Sequence, residues 1–317
     1  MLRIEEGGST MSASGLKNIG VIGIGTMGNG IAQVAAQSGF GTTVMDVDES
    51  ILERGKATIA RSLDRLVKAY EKSGGEKGIT GEAKEEALGR LTMTSNLGDL
   101  LSCDLIIEAV PEKPELKENI NRQLAELGYG KILCSNTSGI SITRLGAAYG
   151  KPDLFMGMHF MNPVPMQKGV EIIRGLGTSE STYQTVVALC HDMGKIEIPA
   201  EDKAGFAINR MFVPFVNEAV RVVEEGIAGV EAVDKCTYCL GHKMGPLMTA
   251  DYVGLDTMLF ICQVLEEEFG SFYKPSPLLK RLVESGQLGA KTGTGFYVWE
   301  EHKAAGVNPD VARYRIG

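Results

Sequence analysis

Apolar residues over the first two-thirds of the chain come in short runs separated by stretches of helical spacing. "NIGVIGIG" (18–25) and "TTVMDV" (42–47) are brief and rich in β-branched residues, so they predict strands, the first of them buried. Further strands are predicted at 91–94, 104–110, 131–136, 154–160, 170–175 and 195–199. Between them, "TMGNGIAQVAAQSG" (26–39) predicts a helix closed by glycine, and 50–72 predicts a longer one with Ile51, Leu52, Ile59, Leu63, Leu66 and Val67 at helical spacing. Helices are also predicted at about 113–127 and 179–193. This alternation argues for an α/β domain with a parallel sheet and helices on both faces.

After Pro199 the pattern changes. From Asp202 to about Ser285 nearly every segment has helical periodicity and strand signals vanish. "GFAINRMFVPFVNEAVRVVEEG" (205–226) is apolar nearly all round, which predicts a buried helix, and Pro214 inside it predicts a kink. The expected organisation is a flexible tail over 1–15, a doubly wound α/β domain over 16–201 and an all-helical domain over 202–317. Met11 is a second candidate start.

Totals narrow the function. A length of 317 residues suits two domains. The net charge of −8 argues against a nucleic-acid partner, which needs a basic field. Six cysteines lack the spacing of a disulfide framework and are expected to be reduced. No apolar run approaches the roughly 18 residues of a membrane span, and the N-terminus has no secretory h-region. A cytoplasmic enzyme is expected, or a matrix enzyme if a transit peptide has been removed.

"GIGTMG" places Gly23, Gly25 and Gly28 in G-x-G-x-x-G spacing, with Thr26 and Met27 between the last two. The pattern alone is weak, but here it follows a strand and opens a helix. Such glycines allow a tight turn, let backbone approach a pyrophosphate and let the helix pack on the strand. Asp46, ending the second strand, is placed to bind ribose hydroxyls and would repel a 2′-phosphate, which favours NAD over NADP. Asp48 is a rival for that role.

His159 falls at the C-terminal end of a predicted strand, the edge where ligands bind in open α/β sheets. Glu171 opens the next strand, beyond a turn stiffened by Pro163 and Pro165. A carboxylate on one ring nitrogen would fix the tautomer and stabilise the cation of a histidine base. Locally, a packed histidine and a surface glutamate explain the spacing at least as well.

The ordered motifs "GIGTMGNGIA", "EAVPE", "SNTSGISIT", "HFMNPVP…VEII", "DKAGFAINRMFVPF", "MGPLMTADYVGLDT" and "KTGTGFY" run from about Asn18 to Val298. Together they resemble the 3-hydroxyacyl-CoA dehydrogenase family, of the short-chain type. The resemblance implies a Rossmann-type NAD-binding domain, an all-helical domain that forms a homodimer, and an acyl-CoA substrate. It implies His159 as base, Glu171 as its orienting carboxylate, and Ser138 and Asn209 as holders of the substrate 3-oxygen. Asn162 matches a further active-site position. Glu112, Lys117 and Lys291 match cofactor contacts. On the long second helix Ser62 matches an acyl-CoA contact, while the matching lysine is offset: Ala69 occupies its position, with Lys68 beside it and Lys72 one turn on. Met161 stands where an aromatic residue is usual and Gly169 where a larger apolar one is usual; both are expected to loosen the pocket wall.

The leading alternative is a related dehydrogenase of a free hydroxy acid or sugar acid; a non-catalytic dinucleotide-binding protein is the third reading. "CTYCLGH" (236–242) resembles half a zinc site but lacks a second ligand pair, so Cys236 and Cys239 are expected to be packed thiols. Met244, Met248 and Met258 are expected in the core, and His191 and His302 at the surface.

Overall fold

The computed structural model describes residues 12–301 and 303–312. The expectations for residues 1–11 and for His302 lie outside them. The chain divides into two compact units between Lys203 and Ala204.

Eight strands form one sheet in the first unit: β1 (Asn18–Ile22), β2 (Gly41–Met45), β3 (Leu91–Thr94), β4 (Leu105–Glu108), β5 (Ile132–Ser135), β6 (Phe155–Phe160), β7 (Gly169–Arg174) and β8 (Ile196–Glu201). Their order is β3-β2-β1-β4-β5-β6-β7-β8. β1 to β6 are parallel, as the alternation predicts. β7 departs from that expectation: it runs antiparallel to β6, and β8 is parallel to β7. The reason is the connection, an eight-residue turn over 161–168 with no crossover helix, which can only join antiparallel neighbours. The strand order reverses at β1 and β4, the switch point where such sheets open a crevice.

The helices of this unit are α1 (Thr26–Gln37), α2 (Glu49–Ser73), α3 (Gly81–Gly89), α4 (Pro114–Glu126), α5 (Ile142–Tyr149) and α6 (Glu180–Asp192). Ile19, Val21, Ile31, Val44, Ile59 and Leu63 belong to the buried cluster that joins strands to α1 and α2. Asp48 caps α2 by accepting the amides of Ser50 and Ile51, and Gly74 ends it in the left-handed region. Part of the stretch expected as a flexible tail makes contacts with this unit. Ala13 and Ser14 donate their amides to the Asp192 carboxylate at 2.9 Å, which ties residues 13 and 14 to the end of α6.

The second unit contains α7 (Ile208–Glu224), α8 (Val230–Cys239), α9 (Pro246–Val253), α10 (Leu255–Phe269) and α11 (Pro277–Glu284). It is not wholly helical: β9 (Tyr297–Glu300) and β10 (Lys303–Val307) form an antiparallel hairpin. The anchor is Asp251 on α9, whose buried carboxylate accepts the Phe296 and Tyr297 amides and the Trp299 indole N–H, each at 2.9 Å. Glycine is needed at 295 because a Cβ there would lie 2.1 Å from Asp251 Oδ1. Helix α7 continues through Pro214 and buries Val213, Val216, Val220 and Val223. It is two-faced rather than buried all round, with Met211 and Phe215 exposed. Met258 is buried, Met248 packs at the core edge, and Met244 is exposed, against expectation. Among the described residues no single helix is long and apolar enough to cross a membrane.

Candidate active site

The glycine-rich turn links β1 to α1. Gly23 takes φ +89°, a left-handed conformation that a side chain would strain, and a Cβ there would meet Ala109 O at 2.9 Å. At Gly28 a Cβ would sit 1.7 Å from Gly23 O, so this glycine lets α1 close on the turn. At Gly25 a Cβ would meet nothing within 4 Å: the space before the N-terminus of α1 is open. It belongs to a cavity of about 780 Å³ lined by Gly23, Gly25, Thr26, Met27, Asp46, Glu112 and Ser138, among others. An open glycine before helix amides fits a pyrophosphate. Asp46 stands at the end of β2, where a ribose would reach it, and its Oδ2 accepts the Ile24 amide at 2.9 Å. Its rival Asp48 is committed to capping α2. Exposed Val47 and half-buried Ile51 and Leu97 give that part of the cavity an apolar wall suited to a base. The residues present therefore fit NAD.

His159 and Glu171 sit directly opposite each other in the β6–β7 register. Glu171 Oε2 lies 2.7 Å from His159 Nδ1, and both side chains are buried, at 0% and 7% exposure. A carboxylate accepts only, so in the neutral ring this contact favours the proton on Nδ1 and makes Nε2 the acceptor. Ser138 Oγ lies 3.2 Å from that Nε2. Ser138 also lines the cavity, so it connects the histidine to the space read as the cofactor site.

A polar network underlies Ser138. Glu112 Oε1 accepts the Ser138 amide at 2.8 Å and the Gly139 amide at 3.1 Å. Lys117 approaches the other Glu112 oxygen at 3.4 Å and pairs with the fully buried Glu108 at 2.7 Å. Glu108 also accepts the Ser135 hydroxyl and the Val110 amide, both at 2.7 Å. Lys117 thus lies beneath the cavity wall, buried and paired, while Glu112 is on the wall. The sequence reading passed over Asn136, which lines the cavity and accepts the Phe160 amide at 2.9 Å. Its place inside "SNTS" was the available signal.

The other expected positions are spread over both units. Asn162 lies three residues after His159, in the 161–168 turn. Ser62 is half-buried in the middle of α2, and Lys68 is exposed on the same helix. In the second unit Asn209 is the second residue of α7, and Lys291 pairs with both oxygens of Asp256 at 2.6 and 2.7 Å. Gly169 does not loosen the wall as expected: a Cβ there would come within 3.0 Å of Ile198 Cδ1, so the β8 side chain already fills the space. Cys236 and Cys239 are exposed rather than packed, and His242 stacks on Phe215. His191 is at the surface as expected, hydrogen-bonded to Glu197. Among the described residues no group of three or more His, Cys, Asp or Glu could hold a metal.

Comparison with known proteins agrees with this geometry. The 3-hydroxyacyl-CoA dehydrogenase NAD binding domain matches residues 18–203, and the C-terminal domain of the same family matches 205–299. A probable 3-hydroxybutyryl-CoA dehydrogenase of Deinococcus radiodurans is 46% identical over 281 residues, 88% of this chain and 98% of that protein. A 3-hydroxybutyryl-CoA dehydrogenase of Bradyrhizobium diazoefficiens is 46% identical over 289 residues, 90% of this chain and 96% of that protein. The crystal structure of (S)-3-hydroxybutyryl-CoA dehydrogenase from Ralstonia eutropha superposes with a TM-score of 0.84 at 42% identity, covering 90% of this chain and all of that one. With a glycine turn shaped for NAD at one end of the cavity and a histidine–carboxylate pair joined to it through Ser138, the chain belongs to the 3-hydroxyacyl-CoA dehydrogenase family.

Proposed function

We propose that this protein oxidises a short-chain L-3-hydroxyacyl-CoA to the 3-ketoacyl-CoA, reversibly, with His159 as the base. The observation that carries the reading is the line Glu171–His159–Ser138, which ends on the cavity wall. His159 Nε2 takes the proton of the substrate 3-hydroxyl. Glu171, held at Nδ1, stabilises the imidazolium that forms. The Ser138 hydroxyl turns toward the 3-oxygen and donates to it as charge develops there. Bound NAD supplies the hydride acceptor for C3. Gly23, Gly25, Thr26, Met27 and Asp46 are the residues that would hold it, with Glu112 setting Ser138 beside it. The roles of Asn209, Asn162 and Lys291, and of Ser62 and Lys68 toward CoA, rest on the family resemblance. Lys117 we read as acting through Glu108 and Glu112.

We also infer a homodimer formed by the helical unit, supported by exposed Met211, Leu240, Phe260 and Phe272. A monomer by sedimentation at assay concentration would overturn that part. A cytoplasmic location belongs to the same reading, and recovery of the native protein with a membrane or secreted fraction would overturn it.

NADH absorbance tests the activity. Loss of NADH that depends on acetoacetyl-CoA is the expected result. Formation of NADH from a free hydroxy acid and NAD, with no response to acetoacetyl-CoA, would select the alternative dehydrogenase. Retained NADH binding without either reaction would mean a non-catalytic protein.

A further inference from the structure

The β6–β7 register sets the distance between His159 and Glu171, but it does not set how the turn beyond them meets the cofactor helix. That turn, residues 161–168, is held from two sides. On one side stands Lys195, just before β8. Its side chain is nearly buried, at 8% exposure, yet both partners of its ammonium are backbone carbonyls rather than carboxylates: Val164 O at 2.6 Å and Gln167 O at 2.8 Å. Burying an ammonium without a counterion is costly, and burial pushes this one below the usual lysine range. The Ile196 amide adds a bond to Lys168 O at 2.8 Å. On the other side stands Gly30, in the second turn of α1. A Cβ there would come within 2.8 Å of Val164 Cβ and 3.2 Å of Pro165 Cδ, so the turn rests directly on the helix that opens at the cofactor cavity. Val164 itself is buried.

We infer that Lys195 is a positioning residue of the reaction: by clamping the turn against α1 at Gly30, it sets the distance between the base side of the site and the cofactor side. The inference rests on the proposed dehydrogenase activity. Hydride transfer depends steeply on the separation of donor and acceptor, and Lys195 and Gly30 act on that separation without touching either.

Two variants test it from opposite sides. Lys195→Met removes the clamp and keeps the volume, while Gly30→Ala keeps the clamp and pushes the turn off α1. Each should lower kcat for acetoacetyl-CoA reduction on the order of 10- to 100-fold, the scale of an ångström-sized misplacement. KM for NADH should be unchanged. The primary deuterium isotope effect on kcat, with NADH labelled at the transferred position, should rise as hydride transfer becomes limiting. A loss of folded protein would lower kcat and leave that isotope effect where it was. If Lys195→Met fails to fold, Gly30→Ala decides alone. Either folded variant with wild-type kcat, or with a lower kcat and an unchanged isotope effect, would overturn the inference while the proposed activity stood. A wild-type protein that binds NADH but leaves acetoacetyl-CoA unreduced would overturn the activity, and this inference with it.

Discussion

At a single position, what separates a packed histidine from a base is the pair of groups its two nitrogens face. One nitrogen of His159 meets a fully buried carboxylate at 2.7 Å, and the other points to a hydroxyl on a cavity wall. General bases contribute roughly 10²- to 10⁴-fold, so His159→Gln should lower kcat by that order, with NADH affinity measured by fluorescence unchanged. Wild-type turnover in that variant would remove His159 from the mechanism. Local spacing could not decide this, because the carboxylate's face depends on how β7 pairs. The order of motifs along the chain supplies the expectation instead, through the family it resembles. The acid on Asp46 rather than Asp48 was likewise ambiguous by spacing. The reading of Asp46 is supported by the helix cap that Asp48 makes.

At the scale of elements, the eight strands were legible to within about three residues because each is a short apolar run between turn residues. β7's direction was not, since strand propensity carries no direction and only the missing crossover reveals it. The hairpin of the second unit was also missed: its pairing depends on Asp251, more than forty residues upstream. The three glycines of the first turn differ in what they do. Gly25→Ala should leave the thermal midpoint unchanged and weaken NADH binding about tenfold or more, roughly 1.4 kcal/mol per decade. Gly28→Ala presses a methyl on Gly23 O and should destabilise the unit by about 1–3 kcal/mol or more. Equal effects of the two on stability would contradict the assignment of open space to Gly25 and close packing to Gly28.

For the whole molecule, each unit combines an apolar core with a buried polar network, around Glu108 and Lys117 in the first and around Asp251 in the second. Burial pushes the Asp251 carboxyl up to about 6, against the pull of its three donors, with Asp234 nearby adding to the rise. A raised carboxyl binds its proton more tightly in the folded state. Its contribution to stability is therefore full below the ordinary value near 3.8 and is lost as pH rises through about 6. Trp299 is the chain's one tryptophan and donates to this carboxylate, so its fluorescence should titrate with a midpoint near 6. Asp251→Asn should abolish that step and flatten the corresponding pH dependence of chemical unfolding. A titration that survives in the variant would assign it elsewhere.

Side chains along a strand alternate between its two faces, so a sheet offers neighbours only in steps of two. His159 and Glu171 stand directly opposite each other across the antiparallel β6 and β7, so they share a face whatever the length of the turn between them. A slip of one residue in the pairing would put Glu171 on the far side of the sheet and leave the imidazole facing a neighbour's hydrocarbon. The facing of His159 and Glu171 is thus a matter of strand phase, whereas the seating of the turn between them is fixed separately, by Lys195 on one side and Gly30 on the other.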